Sequence, residues 1–401
     1  MHALRPIDLR PAGPHPIRVA VIGGGVLGAS TAAHLVRAGA QVTLLTAGSV
    51  ADGASGRSLS WLNSSGARSP EYHALRLLGI DRYRTWLARN PGSARWLRFD
   101  GALKWARPGE SLRATFELER SRGYDAVWLD RAAVAARLPE VRAEAVAEEG
   151  AIFNPGEGWV DLPYLVAALV DEAVAGGAQL IEGAGSAEVV IDDGAVRGVR
   201  LADGRRIDAD RVVLATGAGA PAQLAALGVT VPDATVPACL VVTDPLPAPV
   251  RTVLNTPRVA VRPRPDGGVS LDAGWAERSV VVGADGALSV PAATIDGLLA
   301  EASAVLAARP RLTVSRVGIG PKPIPGDGEP VVGAVGAVPG LSVLFTHSGA
   351  TLGLILGELL AEEIATGAPS PVLAPFRIER FAAGATVAEA GSGAWTPVAQ
   401  R

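Results

Sequence analysis

Cysteine is all but absent from this 401-residue chain, with Cys239 the only one. A single thiol excludes an intramolecular disulfide and any cysteine-rich metal site. Lysine is nearly as scarce: Lys104 and Lys322 are the only two among 37 basic residues. The chain also lacks a charge excess of one sign. Its 37 Lys and Arg face 40 Asp and Glu, a formal −3, which is not the basic balance of a nucleic-acid-binding protein. No run of about 18 uninterrupted apolar residues suggests a membrane span, and no basic-then-apolar leader opens the sequence. The expectation is a soluble, cytoplasmic protein. Aromatic residues are only 4% of the chain, so the position of each tryptophan carries weight.

Glycine and proline are abundant, at 48 and 30 residues, in a chain that is 48% hydrophobic and 19% charged. That balance is globular and not disordered. The length predicts two or three domains at roughly 100–200 residues each.

The strongest local signal runs from Ile17 to Ala40, IRVAVIGGGVLGASTAAHLVRAGA. A β-branched run (Ile17, Val19, Val21, Ile22) suits a buried parallel strand and stops at three glycines. Apolar residues from Val26 to Ala38 then fall at helical spacing, and a second strand follows at Val42–Leu45. Gly23, Gly25 and Gly28 form G-x-G-x-x-G inside this strand–turn–helix–strand unit. The first permits a tight turn, the second lets a diphosphate approach the backbone, and the third lets helix and strand pack closely. The N–H groups opening the helix at Val26 and Leu27 add donors and partial positive charge. The residue ending the second strand of such a unit is usually acidic and holds a ribose; here Thr46 and Ala47 follow Leu45. A hydroxyl offers a neutral bond in place of charge-assisted ones, so the adenosine end is held less firmly or by other groups.

A Gly/Ser-rich loop, Ser49–Pro70, comes next, with Ala54-Ser55-Gly56-Arg57-Ser58 at its centre. Gly158-Trp159-Val160-Asp161 precedes a predicted helix from Tyr164 to Ala175. Strands are predicted near Gln179–Ile181, Ala187–Ile191 and Val199–Leu201, and another ends in Ala215-Thr216-Gly217-Ala218-Gly219. Near the C-terminus, Pro321-Lys322-Pro323-Ile324-Pro325-Gly326-Asp327-Gly328-Glu329-Pro330 leads to a strand at Leu341–Phe345, then to Thr346-His347-Ser348-Gly349-Ala350-Thr351-Leu352 and a helix to Ala365.

In this order, the pieces resemble the FAD-dependent oxidoreductases of the D-amino-acid oxidase, glycine oxidase and sarcosine oxidase type. The resemblance covers about Ile17 to Gly367. It implies an α/β fold: a Rossmann-like FAD-binding domain (17–63, 150–233, 320–383) interleaved with a substrate domain on a mixed or antiparallel sheet (64–149, 234–319). Residues 1–16 and 384–401 are expected to be loose tails.

The resemblance also implies non-covalent FAD, with the diphosphate against Gly23, Gly25, Val26, Leu27 and Gly28 and the adenosine near Thr46, Ala47 and Val189. Ala54, Ser55, Arg57 and Ser58 would wrap the cofactor. Thr216, Gly217 and Ala218 would pass close to it, and His347, Gly349, Ala350, Thr351 and Leu352 would bring a second helix N-terminus to the flavin. Lys322 stands where glycine-oxidase-like proteins carry an arginine for the substrate carboxylate, and a point charge replaces a bidentate fork there. It is the catalytic and substrate-binding candidate, either on an acid group or near flavin N5. Arg262, Trp61 and Trp275 are the other substrate-binding candidates, with a solvated edge strand or core packing as the alternatives.

The implied reaction takes a hydride from the carbon beside an amine or amino-acid nitrogen to flavin N5 and leaves an imine. Molecular oxygen is the expected acceptor and hydrogen peroxide the expected product. A dehydrogenase using another acceptor and a non-catalytic flavin-binding module remain the alternatives. No metal site is expected, and the oligomeric state is not legible.

Overall fold

The computed structural model describes residues 16–382. These divide into two compact units: 16–55, Pro163–Ala234 and 323–382 form one, and Gly56–Leu162 with Thr235–Lys322 form the other. The chain therefore changes unit after residues 55, 162, 234 and 322, where the sequence had suggested 63, 149, 233 and 319. Strand pairing is the reason. Trp61–Leu62 bonds to Gly158–Val160, and Ala151–Asn154 bonds to both Ala102–Lys104 and Val127–Leu129, which ties these segments to the second unit. Apart from Pro16, the expected tails lie outside the described residues.

The first unit is built on six strands in the order Val331–Ala334, Leu341–Phe345, Arg211–Leu214, Arg18–Ile22, Gln41–Leu45, Gln179–Ile181. Every neighbouring pair is parallel except the first. Parallel strands covered on both faces read as continuous apolar runs, and Ala20, Val21, Val212, Val213 and Leu214 are fully buried. Strand order reverses at Arg18–Ile22, which has Gln41–Leu45 on one side and Arg211–Leu214 on the other. In an open α/β sheet, the crevice for a ligand lies beyond the carboxyl ends of the strands at that reversal. An antiparallel sheet of Ala187–Asp192, Ala195–Leu201 and Arg206–Asp208 completes the unit's strands among the described residues.

The second unit carries eight strands in the order Val314–Lys322, Val236–Thr243, Val269–Asp272, Ala260–Pro263, Val253–Asn255, Ala102–Lys104, Ala151–Asn154, Val127–Leu129. Only Val253–Asn255 with Ala102–Lys104 is parallel, so the sheet is mixed. Side chains alternate across a sheet, and here the alternation separates two chemistries. Leu103, Cys239, Val241, Leu254, Val261, Val269 and Leu271 face an apolar core that includes Leu298 and Ala302 of helix Ala292–Val305. Each fully buried Leu or Val there contributes roughly 1.5–3 kcal/mol. The opposite face presents Lys104, Arg262, Ser270 and Asp272.

One long helix, Pro70–Arg89, has no counterpart in the sequence reading, although its start is legible in retrospect. Ser69 caps it by accepting the Tyr72 N–H at 3.1 Å, Pro70 occupies the first position, and Glu71 lies in the first turn. No helix among the described residues is long and apolar enough to cross a membrane.

Candidate functional site

In the first unit, the Arg18–Ile22 strand ends in a turn that only small residues allow. Gly23 has φ +124°, and its N–H donates to Leu45 O at 2.8 Å. A Cβ on Gly28 would run into the Gly23 carbonyl oxygen, and one on Gly23 would run into Ala215 O. The glycines thus let helix Val26–Arg37 start directly against the strand ends. Gly25, the N-cap, provides no side-chain cap, and the first turn holds no acidic residue. Ser55 Oγ accepts the Val26 N–H at 3.0 Å, which makes Ser55 part of the cradle.

A second helix, Gly349–Thr366, packs on the first through three glycines one turn apart. A Cβ on Gly349 would touch Val26 Cγ1 at 3.7 Å, one on Gly353 would lie 2.6 Å from Val26 Cγ2, and one on Gly357 would strike Ser30. Ser30 Oγ also donates to Leu354 O at 3.4 Å. Because Val26 pairs with Gly353 and Ser30 with Gly357, the two helices run in the same direction with their N-termini side by side. The second helix likewise lacks a side-chain cap and has no acid in its first turn. Two positive helix ends on one side of the sheet, with no acidic residue in either first turn, form an anion cradle. The residues fit a dinucleotide diphosphate there.

The other cofactor candidates take these positions. Thr46 is buried, and its hydroxyl donates to Ser49 O at 3.4 Å. A Cβ on Gly24 would lie 2.7 Å from Thr46 Cβ, so this end of the strand tolerates little bulk. Ala47 is exposed, and Val189 is half-buried on its antiparallel strand. Thr216 Oγ1 donates to Gln223 Oε1 at 2.7 Å, beside half-buried Gly217 and Ala218. His347, Gly349 and Ala350 are half-buried, whereas Thr351 and Leu352 face the interior.

In the second unit, Arg57 lies along the edge strand Val314–Lys322. A Cβ on Gly320 would sit 2.5 Å from Arg57 Nε, and one on Gly318 would sit 2.9 Å from its Cγ. Ser58 Oγ accepts the Ser60 N–H at 3.0 Å. Val317 and Ile319 pack against the apolar core, so Gly318, Gly320 and Lys322 alternate to the opposite face, the face of Asp272.

Lys322 has an internal counter-charge. Its Nζ donates to both carboxylate oxygens of Glu277, at 2.6 and 2.5 Å. The carboxylate of half-buried Asp272 has no hydrogen bond or ion pair among the described residues. Burial first, and Glu277 second, push its carboxyl up to about 7, with Lys322 opposing. Sequence reading missed Asp272 and Glu277, because nothing local ties them to a lysine 45 or more residues away.

The remaining substrate candidates take these positions. Arg262 is neither a solvated edge charge nor a vacant fork. It is buried, and it donates to Leu59 O (2.7 Å), Asp161 Oδ2 (3.1 Å), Pro263 O (3.1 Å) and Ser270 Oγ (3.3 Å). It acts as an internal strut because the Asp161 carboxylate supplies a buried partner. Trp275 gives its indole N–H to Arg258 O at 2.7 Å and packs its ring against the apolar core. Trp61 donates to Glu157 Oε2 at 2.8 Å and lies against Ala102, Trp159 and Val253.

Comparison with known families assigns the chain. Residues 18–363 match the family model described as FAD dependent oxidoreductase, the D-amino-acid-oxidase-type group. The chain belongs to this family. The FAD-dependent oxidoreductases that it resembles in sequence include glycine oxidase of Geobacillus kaustophilus, 29% identical over 253 residues, 60% of this chain and 65% of that protein. The alignment thus spans just under two thirds of that curated relative. The crystal structure of the same glycine oxidase has a TM-score of 0.76 at 24% identity, covering 91% of this chain and 99% of that one. Iminodiacetate oxidase from Chelativorans sp. BNC1 has a TM-score of 0.74 at 25% identity, covering 90% and 98%. L-amino acid deaminase from Proteus myxofaciens has a TM-score of 0.79 at 20% identity, covering 93% and 95%. These likenesses support the α/β fold with a Rossmann-like FAD-binding domain. Among the described residues, no group of three or more His, Cys, Asp or Glu is placed to hold a metal ion.

Proposed function

We propose that the protein oxidises a small amine or amino acid at the carbon beside nitrogen, with molecular oxygen as acceptor, giving an imine and hydrogen peroxide. FAD supplies the two-electron acceptor for the hydride, and the chain's own residues bind and orient the rest. The Gly23–Gly28 turn and the paired helix ends hold the cofactor's anionic groups. Its attachment is non-covalent: Cys239 is buried on the core face, and burial pushes its thiol up to about 11.

The observation that carries the amine reading is the Asp272–Glu277–Lys322 group. Lys322 is neutralised by Glu277, so it offers little free charge to a substrate carboxylate. The Asp272 carboxylate makes no hydrogen bond or ion pair among the described residues, and burial, with Glu277 beside it, pushes it up to about 7 against the pull of Lys322. A substrate ammonium passes its proton to that carboxylate and becomes the neutral amine that hydride removal requires. Lys322 positions Glu277 and sustains the negative side of the site. Glycine oxidase and iminodiacetate oxidase both act, by their names, on amino compounds, which agrees with this assignment.

The test is anaerobic addition of amines and amino acids to purified protein while the flavin absorbance is followed, then admission of air. Bleaching by a primary or secondary amine, followed by peroxide, is the expected result. Bleaching without peroxide makes the protein a dehydrogenase, and no bleaching across a broad panel makes it a flavin-binding module. Lys322→Met is expected to weaken substrate reduction of the flavin at least tenfold while leaving the flavin content unchanged.

A further inference from the structure

The first unit has a second concave surface, at the end of its six-stranded sheet opposite the Gly23 turn. Arg18 opens strand Arg18–Ile22 and Arg211 opens its parallel neighbour Arg211–Leu214, so both stand at amino ends. The rise of the first strand puts this end about 13 Å from the glycine turn. A cavity of about 470 Å³ lies there, lined by Arg18, Arg197, Arg206, Arg211, Asp208 and Asp210. Its apolar lining is buried Val196 and Ala209. Such a volume accommodates a small organic molecule and not merely a single ion.

Backbone pairing gathers these charges. The Asp210 N–H donates to Arg18 O at 2.9 Å, and the Ala209 N–H donates to Arg197 O at 3.2 Å. Arg206 and Asp208 lie on the strand paired with Ala195–Leu201, which carries Arg197. Two guanidiniums meet at Asp210. Arg18 donates to its carboxylate through Nη2 at 2.7 Å and Nε at 3.3 Å, and Arg211 Nη1 donates to its carbonyl at 2.8 Å. Arg206 Nε donates to Asp208 Oδ1 at 2.9 Å. Asp210 first, and Asp208 after it, hold Arg18 above the ordinary guanidinium range.

Each aspartate is thus paired with one arginine. Among the described residues, Arg197 makes no hydrogen bond or ion pair, and Arg211 makes no ion pair. The six charged residues leave the cavity with a net charge of +2. A concave surface of one net sign concentrates counter-ions, and the planar guanidinium fork matches phosphate oxygens. A phosphate monoester carries close to two negative charges near neutral pH, which balances the surplus. We propose that this cavity binds a small organic phosphate, whose dianionic group is neutralised by Arg197 and Arg211 and whose organic part covers Val196 and Ala209. The site is independent of the flavin chemistry, and its occupancy is read without activity.

The test is calorimetric titration of the flavin-loaded, full-length protein at constant ionic strength. The probes are phenyl phosphate, ribose 5-phosphate, inorganic phosphate, phenyl sulfate and an oligoglutamate peptide. At least one of the two esters should saturate a single site per chain, with monoanionic phenyl sulfate and inorganic phosphate about tenfold weaker. Arg197→Gln and Arg211→Gln should each weaken that ester about tenfold while the flavin content stays unchanged. Both side chains are exposed, so neither substitution opens the core. Three results overturn the proposal: no saturable binding of either ester, binding that survives both substitutions, or inorganic phosphate as tight as the esters. Preference for the oligoglutamate peptide also overturns it and makes the cavity a docking surface for an acidic chain.

Discussion

The two units prepare for charged ligands in opposite ways. In the first, at the cradle, side chains are removed: glycines at 23 and 28 let backbone meet backbone, those at 353 and 357 let Val26 and Ser30 close in, and the positive character comes from peptide dipoles at two helix ends. In the second, side chains are buried: Arg262 on Asp161, Lys322 on Glu277 and Lys104 on Glu119 put full charges on or beside one face of a sheet. A dipole cradle has no protonation state to lose. A face built from buried ionisable groups responds to pH and fails abruptly when one partner is removed.

The sharpest test of that contrast is Gly28→Val. The new Cβ meets a carbonyl oxygen that cannot move without displacing the strand end. Protein without bound flavin, or no folded protein, is the expected outcome, read from the flavin absorbance of the purified sample. Next in size is Asp161→Ala, which strands the Arg262 guanidinium in the interior. Removing one partner of a buried pair costs about 3–5 kcal/mol, which denaturant unfolding would show as a lower midpoint. An unchanged midpoint would mean that the strut is dispensable.

The smallest effect is a slope with pH. Asp272 and Glu157 have carboxyl groups raised to about 7, so the folded state holds protons that the unfolded chain releases near the usual carboxylate range. Their contribution is intact at low pH and is lost progressively as pH rises from about 4 to about 7. Asp272→Asn should remove its share of that loss, so the variant gains stability relative to the parent between pH 5 and about 8. Parallel curves for parent and variant would place Asp272 outside the titrating set.

Legibility from sequence differed between the units for the same reason. The turn at Gly23–Gly28, the strands Gln179–Ile181 and Leu341–Phe345 and the small residues after Leu214 are local features, with each signal lying within a few residues of its consequence. The glycine stripe 349–353–357 was visible as letters, but its meaning depended on Val26 and Ser30, more than 300 residues earlier. Helix Pro70–Arg89 had a proper start signal but a mixed apolar pattern, with Arg76 and His73 among its buried residues, so periodicity gave no guide. For Arg262 and Trp275 the sequence leaves pocket lining, edge strand and core packing open, because their partners, Asp161 and the Arg258 carbonyl, cannot be inferred from spacing.

Sequence alone determined the doubly wound unit, the dinucleotide turn and the family, because these depend on backbone geometry written in consecutive glycines and short apolar runs. Only the tertiary structure decided which charges are neutralised. That Lys322 is paired with Glu277 and Arg262 with Asp161 follows from strands and helices distant in the chain coming together. Electrostatic energy depends on distance in space and on burial, and neither quantity exists until the chain has folded.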